Sequence, residues 1–115
     1  MPTYMHQWKY KDQQIRKMLD KVEEVDRAHV VRTAIEAFGG KLVGFYFCFG
    51  EYDGLSISLF ADEASALACL MFLFGEGRLQ SIHTTTLFDG DACTKSIRLA
   101  QKILKRTASA ADGNA

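Results

Sequence analysis

Residues 41–59, KLVGFYFCFGEYDGLSISL, predict a β-hairpin, and this hairpin decides the fold class. Its first part, Lys41–Phe49, is dense in β-branched and aromatic side chains, which favour a strand. Gly50–Gly54 follows as a turn, because its glycines accept the backbone angles of tight connections. From Leu55 to Leu59 apolar residues alternate with serines, and a period of two is typical of a strand. The segment is therefore expected to form two neighbouring antiparallel strands.

Upstream of the hairpin, the sequence predicts one strand and one long helix. Thr3–Tyr10 mixes aromatic with polar residues, as half-buried strands do. Over residues 12–38 apolar side chains recur at steps of three and four, which is the spacing of one helical face. Gly39 ends this helix, since glycine adopts the left-handed conformation without a steric clash. Asp20 and Glu23 have the spacing of a capping box, so we expect a break near residue 20.

Downstream of the hairpin, the sequence predicts a helix, a strand and a last helix. Asp62 can cap a helix that stops at Gly75. The strand covers Leu79–Phe88, and the last helix is expected to end near Arg106. Residues 107–115 are small and polar, so they are predicted to form a disordered tail.

This order of elements predicts a single α+β domain over residues 1–106. A strand–helix–strand unit occurs twice around the hairpin, which is the split βαβ or ferredoxin-like plan, here followed by a C-terminal helix. Right-handed crossovers place the fourth strand beside the first, then the third and the second. Every neighbouring pair in this four-stranded sheet is then antiparallel.

The composition argues against several classes of function. Among 115 residues, 14 Lys and Arg balance 14 Asp and Glu, so there is no general attraction to nucleic acid or to an anionic membrane. The longest apolar stretches, Leu42–Phe49 and Ala64–Phe74, are shorter than the ~18–20 residues that span a bilayer. The sequence shows no export leader, and its 3 cysteines lack a CxxC spacing, which predicts free buried thiols. We therefore expect a cytoplasmic protein.

The first strand of the hairpin carries large apolar side chains on both faces. Strict alternation puts Leu42 and Tyr46 on one face and Phe45 and Phe47 on the other. Helices can cover one face of the sheet, and the second would then expose an aromatic patch of the kind that marks interfaces. Two sheets packed face to face about a two-fold axis would hide it, so we predict a homodimer or higher homo-oligomer. Folding of the last helix over this face is the alternative.

Several short motifs together resemble the GYD domain family. They are Met1-Pro2-Thr3-Tyr4, Tyr10-x-Asp12-Gln13, Gly39-Gly40-Lys41-Leu42, Gly50-Glu51-Tyr52-Asp53, Asp62-Glu63-Ala64 and Thr84-Thr85-Thr86-Leu87. The resemblance implies a bacterial domain with a ferredoxin-like fold of the dimeric α/β-barrel type and without an established activity. No catalytic residues are agreed for the family, so none is carried over to this chain.

The chain departs from the family pattern at three positions. His6 and Trp8 stand where the resemblance implies aliphatic strand residues. Gly54 follows the Tyr-Asp pair where an aliphatic residue is common. A ligand shared with the family therefore does not follow from the resemblance.

The candidate ligand-binding residues are Tyr10, Tyr46, Tyr52, Asp53 and His83. In the predicted topology Tyr10 and Asp53 meet Trp8 and Arg78 at one end of the sheet. Aromatic rings and hydroxyl groups that converge in this way can hold a small apolar or aromatic ligand. The alternative is structural: Asp53 bonds backbone amides of the turn, and Tyr52 anchors the hairpin.

The sequence predicts neither a metal nor a cofactor. His6 and His83 can face each other across neighbouring strands, although a shift of one residue separates them. Two imidazoles without a third ligand make a poor metal site. The chain has no P-loop, Rossmann pattern or nucleophile elbow. The cations of the last helix are interpreted as a solvated face, so no nucleic-acid or membrane partner is predicted; they are Lys95, Arg98, Lys102, Lys105 and Arg106.

We therefore expect a homodimeric module that binds a small molecule or acts through protein interactions. The alternative is a cofactor-free enzyme of the dimeric α/β-barrel kind, such as a small oxygenase or isomerase. In that enzyme Tyr10, Tyr52, Asp53 and His83 would be the polar groups, with His83 or Asp53 as the base. The alternative rests on analogy between folds, and the catalytic residues stay unknown.

Overall fold

The computed structural model of the chain describes residues 2–20 and 26–111. Its four strands and four helices follow one another in the predicted order, except that two helices stand where the sequence predicted one long helix. In chain order the elements are β1 Thr3–Tyr10, α1 Asp12–Asp20, α2 Arg27–Ala37, β2 Lys41–Phe47, β3 Gly54–Leu59, α3 Glu63–Gly75, β4 Leu79–Leu87 and α4 Gly90–Ala111.

The helix starts are set by aspartates. Asp62 caps α3 as predicted, because its Oδ1 accepts the backbone N–H of Ser65 at 2.7 Å. Asp26, which the sequence pattern did not single out, caps α2 by accepting the N–H of His29 at 3.3 Å. Glu23, half of the expected capping box, lies outside the described residues.

The sheet has the order β2-β3-β1-β4, and each neighbouring pair is antiparallel. This confirms the predicted four-stranded, ferredoxin-like α+β fold. β1 is central: Tyr4 lies opposite Ser58 of β3 and Thr86 of β4. The order fixes which side chains share a face, since alternate residues of each strand point the same way.

One face of the sheet, the covered face, packs against α1, α2 and α3. Side chains alternate along β1, and the buried set is Tyr4, His6, Trp8 and Tyr10. Phe60 and Ile35 form one cluster with Tyr4, while Trp8 and Tyr10 form a second with Leu79. Full burial of one large apolar side chain contributes about 1.5–3 kcal/mol, so these clusters hold the helices on the sheet.

Trp8 and Gly54, two of the three departures from the family pattern, are structurally complementary. The two residues are direct partners across β1 and β3. A Cβ on Gly54 would lie 2.3 Å from Cζ2 of the Trp8 indole, which is closer than unbonded carbons approach. The indole therefore lies against the bare backbone of Gly54, and a large residue on β1 is matched by the absence of a side chain on β3.

A β-bulge corrects the predicted faces of β2. The register shifts between Leu42 and Gly44. Leu42 and Phe45 consequently both pack on the covered face, one in each core cluster. The prediction that Leu42 shares a face with Tyr46 was wrong, because an extra residue in a strand reverses the alternation beyond it.

The opposite face, the open face, has no helix over it in the described part of the chain. Its centre is the row Leu55, Ile57 and Leu59 of β3, flanked by Met5 of β1 and Tyr46 of β2. These positions alternate with the buried residues Gly54, Ser56 and Ser58. The face is therefore apolar along β3, and none of the described helices covers it.

The last helix, α4, points away from the sheet. Every side chain from Cys93 to Ser109 is exposed, and α4 makes few contacts with other elements. The alternative in which this helix roofs the open face does not occur. Helix α4 also continues past its predicted end at Arg106 to Ala111, because alanine is the strongest helix former. None of the described helices is long and apolar enough to cross a membrane.

The cysteines only partly follow the prediction of buried thiols. Cys69 is buried in α3, Cys48 is half-buried after β2, and Cys93 is exposed on α4. The prediction was wrong for Cys93, because a helical pattern predicts an apolar face but does not say whether anything packs on it.

Candidate functional site

A cavity of about 60 Å³ lies between the covered face and the helices α2 and α3. Its walls are mainly apolar, with contributions from both helices and from β4; they include Val30, Val31, Ile35, Leu73, Leu79 and Ile82. The polar wall residues His6 and Ser56 come from β1 and β3, where both are buried. The cavity is therefore an apolar space with a few convergent polar groups, which is the usual form of a small-molecule site.

His6 is the central polar residue of this cavity. Its Nδ1 lies 2.9 Å from Oγ1 of Thr84 on β4, its direct cross-strand partner. Burial lowers the pKa of His6 to about 4, so the imidazole is neutral near pH 7. Its ring stacks at 6.3 Å on that of Tyr4. From the sequence, His6 was noted as a departure from the family pattern and as a possible partner of His83, but not as a ligand-binding candidate. The period of two along β1, which places His6 in phase with Trp8, was the signal for its burial.

The charged residues of the cavity lie at one end of it. Arg27 begins α2, and Glu76 and Arg78 precede β4. Arg78 Nη2 lies 3.0 Å from Glu76 Oε2, and both side chains are partly exposed. Tyr10, at the end of β1, lines the same end, and burial raises the pKa of its hydroxyl. We call these four residues the mouth of the cavity. Its arginine donors can meet an anionic group at the surface.

Asp53 has a structural role in this arrangement. Its Oδ2 accepts the backbone N–H of Tyr10 at 2.8 Å. Its own N–H donates to the carbonyl of Trp8, and its carbonyl accepts the N–H of Cys48, each at 2.8 Å. Two of these hydrogen bonds tie Asp53 to β1, and the third joins it to the end of β2. The structural alternative for the Gly-Glu-Tyr-Asp motif therefore holds in part: the Asp53 carboxylate bonds a backbone amide, but that amide belongs to β1, and Tyr52 lies beside His83.

Three of the sequence-predicted residues lie away from the cavity. His83 is opposite Gln7, so it belongs to the open face, and the Tyr52 ring lies 6.4 Å from the His83 ring. Tyr46 is opposite Leu55 on the same face and is exposed. Of the five predicted residues, the structure therefore brings only Tyr10 to the cavity.

His6 and His83 point to opposite faces. His6 pairs with Thr84 and His83 with Gln7, so the register differs by one residue from the one that would bring the imidazoles together. Among the described residues no group of three His, Cys, Asp or Glu side chains is placed to hold a metal.

Three of the four residues that were predicted to meet at one end of the sheet do lie together there. Trp8, Tyr10 and Arg78 line the cavity together, and the Lys11 N–H donates to the Arg78 carbonyl at 3.1 Å. Asp53 is joined to the group through the Tyr10 backbone, but its carboxylate is not part of the cavity wall. Arg27, which completes the mouth, was not predicted, because its place depends on how α2 crosses the sheet.

Comparison with solved structures gives only distant matches. A structure described as FFRP-DM1 matches at 13% identity and TM-score 0.48, over 76% of this chain and 100% of that one. An AsnC family transcriptional regulator from Agrobacterium tumefaciens matches at 13% identity and TM-score 0.48, over 76% of this chain and 50% of that one. An uncharacterized NIPSNAP domain protein from Burkholderia xenovorans matches at 12% identity and TM-score 0.47, over 78% and 95%. A comparison with curated proteins found no match.

The family comparison agrees with the resemblance drawn from the motifs. The GYD domain matches residues 4–97, which include all four strands and the helices between them. This range covers most of the chain. The chain belongs to the GYD domain family.

Proposed function

We propose that this GYD domain is a homodimeric module that pairs through its open face and binds a small molecule in the cavity behind it. The observation that carries the proposal is the uncovered apolar row of β3. Leu55, Ile57 and Leu59 lie on the central part of a sheet whose other face is packed with helices. A solvated antiparallel face normally presents polar residues at such positions.

A second copy of the chain suits this face better than an unrelated surface does. Two sheets pack face to face about 10 Å apart, and a two-fold axis brings the same apolar row from each copy together. Burial contributes roughly 25 cal/mol per Å², and a stable interface buries about 800 Å² on each partner. Tyr46 and Met5 extend the apolar row sideways, which widens the area that pairing would bury.

The cavity supports the small-molecule part of the proposal. It is enclosed by the covered face, so dimer formation through the opposite face leaves it accessible. Neutral His6 and the hydroxyl of Ser56 offer hydrogen bonds without a buried charge. Apolar walls with a neutral polar group favour a small ligand with a hydrocarbon part.

The enzyme alternative receives less support from the geometry. It needs Tyr10, Tyr52, Asp53 and His83 in one constellation. Tyr10 lines the cavity and the Asp53 carboxylate is bonded to a backbone amide, whereas His83 lies on the other face of the sheet with Tyr52 beside it. These residues do not converge on one reacting group, as a general base and its partners must.

Native mass spectrometry tests the dimer. We expect an assembly of two 12.9 kDa chains, and Ile57→Glu should dissociate it, because a carboxylate in an apolar interface is poorly solvated. Leu19→Glu is the matched control, since Leu19 is exposed on α1 and far from the open face. A monomeric wild-type chain at micromolar concentration, or equal effects of the two variants, would count against the dimer.

Xenon tests the cavity without assuming a ligand. Dissolved xenon enters small apolar cavities and changes the NMR shifts of their methyl groups. We expect such shifts at Val31 and Ile82, and Val31→Phe should abolish them by filling the space. Val43→Phe, on an exposed position of β2, is the matched control. Shifts that survive Val31→Phe would show that the cavity is not the binding space.

A further inference from the structure

The mouth of the cavity carries a net positive charge. It contains two arginines, Arg27 and Arg78, and one carboxylate, Glu76. Glu76 engages Arg78 through one Nη2 contact, which leaves other donors of that guanidinium free. Arg27 has no ion-pair partner recorded among the described residues. The mouth can therefore bind one anionic group by charge-assisted hydrogen bonds.

The start of α2 adds to this charge. Arg27 is the first residue of an 11-residue helix, whose N-terminus carries a partial positive charge. The carboxylate of Asp26 at the same end is turned toward the His29 N–H, where it caps the helix. On the opposite side, the Asp53 carboxylate accepts the Tyr10 N–H. Both neighbouring carboxylates thus accept backbone amides, and among the described residues neither forms an ion pair with Arg27 or Arg78, which line the cavity.

The interior of the cavity limits the size and polarity of the part of the ligand beyond the anionic group. Val31, Ile35 and Ile82 form an apolar wall beyond the mouth, and Ile35 is almost completely buried. The volume of about 60 Å³ is less than half of the ~150 Å³ that accommodates benzene in an engineered cavity. A short aliphatic chain fits this space, whereas an aromatic ring does not. This narrows the class expected from the sequence, which included aromatic ligands.

We propose that the cavity binds a short aliphatic monocarboxylate, with its chain against Val31 and Ile82 and its carboxylate between Arg27 and Arg78. The proposal rests on the small-molecule part of the proposed function and names its ligand class. His6, at the inner end, is neutral and buried, so it gives no ionic partner to a second carboxylate. A dicarboxylate is therefore excluded by the cost of burying its second charge.

Four probes of similar length test the ligand class by isothermal titration calorimetry and NMR at low ionic strength. They are butyrate, butyramide, butylamine and succinate. We expect butyrate to bind at least ten-fold more tightly than butyramide, and neither butylamine nor succinate to bind. Chemical-shift changes should include the Val31 and Ile82 methyl groups. Raising the salt concentration should weaken butyrate binding but not butyramide binding, since only the former involves charge.

Arginine variants test the carboxylate contact. Arg27→Gln and Arg78→Gln should each weaken butyrate binding about ten-fold or more and leave butyramide binding unchanged, because each removes a charge-assisted hydrogen bond that only the carboxylate forms. Arg32→Gln is the matched control, since Arg32 lies exposed on the same helix and does not line the cavity.

The outcomes separate this inference from the proposed function. If butyramide binds as tightly as butyrate, or the arginine variants leave the butyrate affinity unchanged, the carboxylate class is wrong while a small-molecule cavity stands. If xenon produces no shifts at the cavity methyl groups and no probe binds, the small-molecule function itself is wrong. If succinate bound as tightly as butyrate, the placement of the aliphatic end of the ligand in the neutral interior of the cavity would be wrong.

Discussion

The two faces of the sheet are built by the same strands and differ in what lies over them. Along β1, Tyr4, His6, Trp8 and Tyr10 are buried under helices, while the intervening residues are only half-buried. On β3 the composition is the opposite: the small residues Gly54, Ser56 and Ser58 face the helices, and the larger Leu55, Ile57 and Leu59 face outward. The comparison shows that burial on the covered face follows from the helices above it, and not from side-chain polarity alone.

The difference also divides the chemistry of the domain. The covered face holds the cavity, the neutral His6 and the arginine mouth. The open face holds His83, Tyr46 and the apolar row of β3. The proposed ligand binding and the proposed self-association thus use opposite sides of one sheet, and each can be tested by substitutions on its own side.

The largest effect on this comparison is expected from the covered core. Phe60→Ala should lower the free energy of unfolding by about 3–5 kcal/mol, because Phe60 is completely buried and its removal leaves a cavity. Urea denaturation of the purified variant measures the loss. Phe49→Ala is the control: that ring is fully exposed and should change stability by less than about 0.5 kcal/mol. A similar loss in both variants would contradict the assignment of the core.

A pH effect of about 3 kcal/mol is expected from His6. Its folded pKa of about 4 lies below the ordinary value of about 6.5, so the unfolded chain binds a proton first as the pH falls. The contribution of neutral His6 to the free energy of unfolding is therefore complete above pH 6.5 and is lost progressively between pH 6.5 and pH 4. Below pH 4 this contribution changes no further.

Urea denaturation of His6→Gln and His83→Gln across this pH range isolates the contribution of His6. The first variant should lose the dependence between pH 6.5 and 4, and the second should keep it, since His83 lies exposed on the open face. A pH dependence unchanged in His6→Gln would show that another group is responsible.

A smaller effect is expected within the covered face, at the cross-strand pair Trp8 and Gly54. Gly54→Val should destabilise the domain by about 1–3 kcal/mol, because its side chain would overlap the indole. Combining it with Trp8→Val should recover part of that loss, since the space vacated by the indole admits the new methyl groups. Denaturation of the two single variants and the double variant gives the coupling free energy. If the two changes in the free energy of unfolding were strictly additive, the proposed fit between Trp8 and Gly54 would be wrong.

Thiol labelling compares the accessibility of Cys69, in helix α3 over the covered face, with that of Cys93 in α4, and it needs no destabilising substitution. Burial raises the pKa of Cys69 to about 11, so at neutral pH its thiolate fraction is about 100-fold lower than that of an ordinary cysteine. Cys93 is exposed on α4 and should react with iodoacetamide within minutes, while Cys69 stays protected until the domain unfolds. Peptide mass spectrometry after timed labelling measures both rates. Rapid modification of Cys69 in the native protein would show that the helical layer opens readily.

The strand order followed from the sequence because it depends on strong local patterns. The alternation in Leu55–Leu59 and the helical spacing around Asp62 identify their elements, and chirality rules leave few ways to connect them. The bulge at Leu42–Gly44 was missed, although a glycine inside a strand, here Gly44, is a known sign of such an irregularity. The cap at Asp26 was missed because a second aspartate, Asp20, fits the capping pattern as well.

The candidate site was predicted less completely than the fold. Tyr10, Trp8 and Arg78 were placed together correctly, since their positions at strand ends follow from topology. His6 was not among the predicted site residues, although its two-residue spacing from Trp8 along β1 places it on the covered face. Arg27 joins the mouth only through the path of α2 over the sheet, and a single sequence contains no information on that crossing angle.

Helix α4 has a thermal consequence of its own. Its 22 residues span about 33 Å, yet from Cys93 to Ser109 no side chain is shielded from water. A helix in that position is held together mainly by its own backbone bonds, which are marginal in water at such lengths. On heating, it should therefore lose ellipticity gradually and well before the cooperative melting of the sheet, so that the protein has one sharp transition preceded by a sloping baseline.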